Sequence, residues 1–204
     1  MGSSDRIGLQ ALASRALLVT LFALFAWANF RHWRDTGKPS GLGTTALEAW
    51  VAVLFLTRRP TERVSRNTVA WIAAPIGSFA MLFARPSSGG LPALPCELLQ
   101  LAGVALALAS LATLGRSFGL VAANRGVKTR GPYRFVRHPA YSGYLVAYCG
   151  YVLANPTLPN VALLVVGTGF QLLRVHEEEQ LLAGDPLYQQ YSGAVRYRMV
   201  PRLY

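Results

Sequence analysis

Charge is scarce in this chain: only 14% of its 204 residues are charged, against about 25% in a typical soluble domain. The deficit is concentrated in long uncharged runs, which points to lipid rather than water as the solvent for much of the chain. Cysteine is scarcer still. Cys96 and Cys149 fall in or beside apolar segments, far apart and without a CxxC partner. Metal and redox roles are therefore poorly supported, and small buried apolar residues is the plain reading. No repeat period or low-complexity tract is visible. A cleavable signal peptide is not expected either, because the flank of the first apolar run, Asn29-Phe30-Arg31-His32-Trp33, offers no small-residue cleavage site. Acids are few, nine Asp and Glu against 20 Lys and Arg, for a net charge of +11. Such an excess suits nucleic acid when it covers one face. Here the cations occupy short loops between apolar runs, the pattern of a membrane protein with basic cytoplasmic loops, which argues against a nucleic-acid partner.

What is present is a series of apolar runs, each read as a helix that spans or enters a bilayer. They cover residues 11–30, 44–57, 68–83, 98–114, 142–154 and 161–173. The first is interrupted by Arg15, the second is short and holds Glu48, and the third carries Pro75 and Gly77, which predict a kink. The last two are short and flank an uncharged break at 155–159, so they form two tilted spans or a helical hairpin. The fold expected is all-α, a polytopic transmembrane protein of five to six helices that ends in a hairpin. Gly115 and Gly119, and Gly167 and Gly169, are read as sites of close helix packing. Gly167-Thr168-Gly169 is no dinucleotide fingerprint, lacking a third glycine and a preceding strand.

Charge asymmetry predicts orientation. Arg58, Arg59, Arg63 and Arg66 follow the second run, and Arg116, Arg125, Lys128, Arg130, Arg134 and Arg137 follow the fourth. Both loops are expected on the cytoplasmic side, with 155–159 outside and the C-terminal tail cytoplasmic again. Arg31, Arg34 and Lys38 fall outside in this scheme, a mild conflict.

Two polar stretches interrupt this pattern. One runs from Arg130 through Tyr133, Arg137, His138, Pro139 and Tyr141 to Gly143; the other holds Arg174, His176 and Glu177-Glu178-Glu179, followed by Tyr188, Tyr191 and Arg196. The hairpin returns both to one membrane face, where cations and carboxylates together could hold a zwitterion and aromatic rings a flat base. Each part also has an ordinary explanation. Loop arginines set topology and touch lipid phosphate, consecutive glutamates are commonly solvated, Pro139 suits a first helical turn, and tyrosines populate the membrane interface.

Taken together, Gly131-Pro132-Tyr133-Arg134-Phe135-Val136-Arg137-His138-Pro139-x-Tyr141-x-Gly143 resembles the isoprenylcysteine carboxyl methyltransferase family, which includes related prokaryotic membrane methyltransferases and the phospholipid methyltransferases. Arg174, Glu177 to Glu179, Tyr188-Gln189-Gln190-Tyr191 and Arg198-Met199-Val200-Pro201 fit the expected continuation. The resemblance covers about residues 115–204, giving four N-terminal spans (1–114) and a methyltransferase core (115–204). Gly184-Asp185-Pro186 stands where many relatives carry a Phe-Gly pair.

The resemblance implies S-adenosylmethionine as methyl donor, held by the hairpin and its cytoplasmic loops. Carried onto this sequence, the cofactor-binding positions are Val127, Tyr133, Arg137, His138, Pro139, Tyr141, Gly143, Glu177 and Glu178, with no metal. Glu177 or Glu178 would meet the methionine ammonium, and the triple glutamate leaves that register open. Arg174 and Glu178 are the catalytic candidates: an arginine can hold a carboxylate acceptor, while an amine acceptor would need a carboxylate to orient it and take its proton. Both O- and N-methylation thus remain open, with O-methylation of a carboxylate favoured. The acceptor is expected to be lipophilic and to enter between helices near the 116–130 loop. Two other readings stand beside this one. A non-catalytic membrane protein or transporter is disfavoured because, apart from Arg15 and Glu48, the spans lack charged residues. A sterol-type reductase would use NADPH, with Arg125 and Lys128 available for the ribose phosphate. Usage rich in Ala, Leu, Gly and Arg points to a bacterial source and its cell membrane.

Overall fold

The structure is a computed structural model that describes residues 3–61 and 63–204, with side chains from residue 12 onward. Among the described residues every regular element is helical, apart from one isolated bridge between Val64 and Ala123. The chain is a polytopic helical membrane protein. Among the described residues, four helices are long and apolar enough to cross a bilayer: Leu12–Thr36, Pro39–Thr57, Ala93–Ser117 and Leu158–Leu182; Thr68–Phe83 is apolar but shorter.

The chain divides into two compact units, Met1–Arg58 and Arg59–Tyr204. The first consists of α1 (Ser3–Thr36) and α2 (Pro39–Thr57). A turn at Gly37, whose φ of +69° suits glycine, joins them. The helices stay close: a Cβ at Gly41 would lie 3.0 Å from that of Trp33, and the rings of Phe22 and Phe55 are 5.5 Å apart.

The second unit holds α3 (Thr68–Phe79), α4 (Ala93–Leu114), α5 (Pro139–Ala154), α6 (Leu158–Leu182) and α7 (Pro186–Ala194). Local chemistry sets several of their ends. Asn67 caps α3 by accepting from the Val69 amide at 3.0 Å, and Thr157 and Asp185 cap α6 and α7 in the same way. Prolines stand in the first turns of α5, α6 and α7, where no amide donor is needed. α3 runs as continuous α-helix through Pro75 and Gly77, where a kink was expected. α3 ends at Phe79 and continues as a 3-10 turn over Ala80–Phe83.

α4 packs along α5, and α3 along α6; α5 and α6 share much less surface. The α4–α5 seam is built from small residues. A Cβ on Gly143 would fall 2.6 Å from the Ala107 amide nitrogen and 2.7 Å from the Gly103 oxygen. Gly103 meets Gly143 and Ala147 reciprocally, and Gly150 lies against Cys96 and Gln100. Apolar burial gives little drive between helices in lipid, so such backbone approach is how they gain dispersion energy.

This seam corrects the sequence reading, which placed close packing at Gly115 and Gly119. α4 stops at Leu114, and Gly115, with φ of +51°, is the residue that ends it. Gly119 faces the Arg125 side chain, and a Cβ on Gly169 would meet nothing within 4 Å, whereas one on Gly167 would stand 3.3 Å from the Ala80 Cβ, a close approach as expected.

The two ends of this unit are tied differently. At one end the loops around 59–66 and 116–125 are stitched by backbone bonds: Arg59 to the Arg116 carbonyl, Ser65 to that of Ala122, and Asn124 to that of Arg63. At the other end Asn160 clamps both backbone groups of Arg85, and Asn155 accepts from the Ser87 amide.

Candidate active site

Helix α6 runs past its apolar part and carries Arg174 and all three glutamates on regular helix. Facing them is the N-terminus of α5, opened by His138 and Pro139. The segments before and after the hairpin therefore meet at one end of the second unit, and they meet through side chains.

Glu179 is the hub. Its Oε1 lies 2.8 Å from Arg137 Nε and 3.2 Å from His138 Nε2. Its Oε2 accepts from Arg137 Nη2 at 3.2 Å and from Arg198 Nε at 2.6 Å. Glu178 accepts a short hydrogen bond from the Tyr141 hydroxyl and lies 3.6 Å from His138 Nδ1. Glu177 turns elsewhere: both its oxygens take the Asn67 amide at 2.9 Å. His138 is buried between two carboxylates. Burial alone would lower its pKa, but hydrogen bonds and charge from Glu178 and Glu179 outweigh it and raise the value.

Arg174 is buried, with 7% of its surface exposed. Nη1 donates to Ser78 Oγ at 2.8 Å and Nη2 to the Leu120 carbonyl at 2.9 Å, while the guanidinium carbon lies 4.9 Å from the centre of the Tyr141 ring. Nε is buried with no hydrogen-bond partner among the described residues. Among the described residues no carboxylate forms an ion pair with this guanidinium. A buried cation with an unused donor is costly unless something anionic completes it.

Two apolar groups flank the charges. Tyr141, Val175 and Met199 pack together, and Tyr133, Tyr188 and Tyr191 pack with Val127, Leu114, Leu182 and Val195. The Tyr191 hydroxyl donates to the Tyr133 carbonyl at 2.6 Å; burial first, and Glu179 after it, push its pKa up to about 12 although Arg137 opposes this. The tail straps over the α5 N-terminus, with the Arg137 and His138 amides donating to the Tyr197 and Arg198 carbonyls and Ser142 Oγ to that of Met199 at 2.6 Å.

The sequence-derived positions thus fall into groups. Arg137, His138, Tyr141 and Glu178 form one connected cluster around Glu179, which was not among them, with Arg174 under the Tyr141 ring; Glu177 is held apart from it by Asn67. Pro139 is buried in the first turn of α5. Val127 and Tyr133 sit in the neighbouring aromatic group. Gly143 faces α4, whose backbone takes the room that its missing side chain leaves.

Asn67, Ser78 and the Leu120 carbonyl escaped the sequence reading. Asn67 stands just before an apolar run and carries the signal of a helix cap; Ser78 and Leu120 carry none. α7 was missed as well, although Asp185-Pro186 followed by two tyrosines three residues apart has the form of a capped helix with one buried face.

The sequence matches the phospholipid methyltransferase family over residues 93–185. The match begins with α4 and ends at the cap of α7, so it contains Arg137 to Gly143 and Arg174 to Glu179. It agrees with the resemblance carried by residues 131–143 and supports a membrane methyltransferase. No curated protein matches the chain at a significant level.

Proposed function

We propose that this chain, which matches the phospholipid methyltransferase family over residues 93–185, is an S-adenosylmethionine-dependent methyltransferase whose acceptor is a lipophilic molecule held at the membrane. The observation that carries this reading is the juxtaposition of an incompletely paired buried guanidinium, Arg174, with the carboxylate Glu178 across the Tyr141 ring.

The donor set suits a zwitterionic ligand. An ionised carboxylate can accept about four hydrogen bonds. Glu179 faces Arg137, His138 and Arg198 with both oxygens, and Glu177 spends both on Asn67. Glu178 keeps capacity beyond the Tyr141 hydroxyl, so it is the glutamate we assign to an ammonium group. Arg137, His138 and Pro139 form the adjoining wall, with Val127 and Tyr133 behind it, and Glu179 holds the cations of that wall in place. S-adenosylmethionine, when bound, supplies a methyl group already activated on a sulfonium.

What remains for the protein is alignment and exclusion of water. Arg174 is the group assigned to the acceptor. Its planar fork of N–H donors matches the two oxygens of an acceptor carboxylate. Glu178 could instead receive the proton of an amine acceptor. The buried guanidinium favours O-methylation of a carboxylate. Residues 115–204 would form the working core, the basic loops would face the cytoplasm of a bacterial cell, and the acceptor would arrive through the bilayer.

The test is transfer of labelled methyl from S-adenosylmethionine into a lipid extract by the protein in nanodiscs. Arg174→Ala should lower transfer at least a hundredfold while S-adenosylmethionine still binds. Unchanged turnover in that variant would remove the role of Arg174. Binding of NADPH in place of S-adenosylmethionine would favour a reductase.

A further inference from the structure

Helix α3 lies outside the matched residues 93–185, yet it touches the site through three polar contacts. Asn67, its cap, takes both oxygens of Glu177. Gly77 offers its carbonyl to Gln171 at 3.2 Å. Ser78, next along, accepts from Arg174 at 2.8 Å. Gln171 and Arg174 are three apart on α6 and so share a face, and together they grip Gly77 and Ser78.

The approach depends on residue 77 having no side chain: a Cβ there would stand 3.2 Å from the Gln171 amide nitrogen and 3.3 Å from Arg174 Cδ. Pro75 lacks an amide donor and leaves the α3 ladder incomplete just before this point. The residue without an amide donor and the residue that lets α6 approach thus lie two positions apart on α3.

We propose that Ser78 is a positioning residue for the acceptor site, holding the Arg174 guanidinium by Nη1 so that its Nε, which has no hydrogen-bond partner among the described residues, is presented to an anionic acceptor. Leu120 and the Tyr141 ring fix two other sides, so among the described residues Ser78 supplies the one side-chain hydrogen bond in the seat. α3 thus belongs to the functional site. The inference rests on the methyltransferase reading for its consequence and on geometry alone for the seat.

The experiment is a double-mutant cycle with Ser78→Ala, Arg174→Ala and the pair, in nanodiscs, reading thermal unfolding, methyl transfer and S-adenosylmethionine affinity. Ser78→Ala should lower kcat/KM for the acceptor about tenfold, the loss of one hydrogen bond to a charged group. S-adenosylmethionine affinity should stay unchanged, and Ser78→Thr, which keeps the hydroxyl, should restore most of the rate. The two substitutions should also be non-additive in thermal stability, because each removes the same contact. Additive stability effects, or Ser78→Ala turning over like the wild type, would overturn the seat. If the wild type transfers no methyl at all, the methyltransferase reading fails, and the stability cycle by itself still decides whether Ser78 holds Arg174.

Discussion

Successive residues of an α-helix are turned about 100° from one another, so Glu177, Glu178 and Glu179 address three different directions. One meets the α3 cap, one the Tyr141 hydroxyl and one a trio of cations. His138 joins the last two, and its raised pKa has a consequence for stability. The folded value exceeds the unfolded one of about 6.5. The stabilisation is therefore complete below that unfolded value and is lost as pH rises through the folded one. The thermal midpoint in detergent should fall as pH climbs above about 6.5, and His138→Gln should flatten that step. An equally steep pH dependence in the variant would show that another group is responsible.

Between helices, α4 and α5 meet along Gly103, Ala107, Gly143 and Ala147, while α6 meets α3 at Gly77. The α4–α5 seam sets the direction in which the first turn of α5 aims His138 and Tyr141 at α6. Gly143→Ala places a Cβ against the α4 backbone, which cannot yield as a side-chain tip can. A destabilisation of about 1–3 kcal/mol is expected, read as a lowered thermal midpoint. Gly169→Ala, in open space on α6, should be neutral or slightly stabilising, since alanine favours helix over glycine by about 1 kcal/mol. Equal effects from the two substitutions would show that the seam contributes nothing specific.

Across the second unit, basic loops close one end and the Asn155–Asn160 clamp closes the other. Because the loops at 59–66 and 116–125 are hydrogen-bonded to each other, they must share one side of the membrane, whichever side that is. The proposed orientation puts them in the cytoplasm. In a Cys96→Ala/Cys149→Ala background, Thr129→Cys should be shielded from an impermeant maleimide in intact cells, and Pro156→Cys should react. The reverse labelling would invert the topology and place the Glu178 site outside.

Several features were legible in the residues alone. Long uncharged runs cannot leave lipid cheaply, so they marked the helices. The break at 155–159 returned the chain to its starting side, which placed His138 and the glutamates at one end, and the ordered string from Gly131 to Gly143 pointed to the family later matched. What only tertiary structure decided was direction. A run of three glutamates has no facing until α6 is docked, and a serine has no value as a ligand until Gly77 lets α3 come close enough for Ser78 to reach Arg174. Small residues are likewise equivalent in sequence. Those at 103, 107, 143 and 147 form the seam because another backbone lies against them, whereas Gly115 ends a helix because its φ is positive.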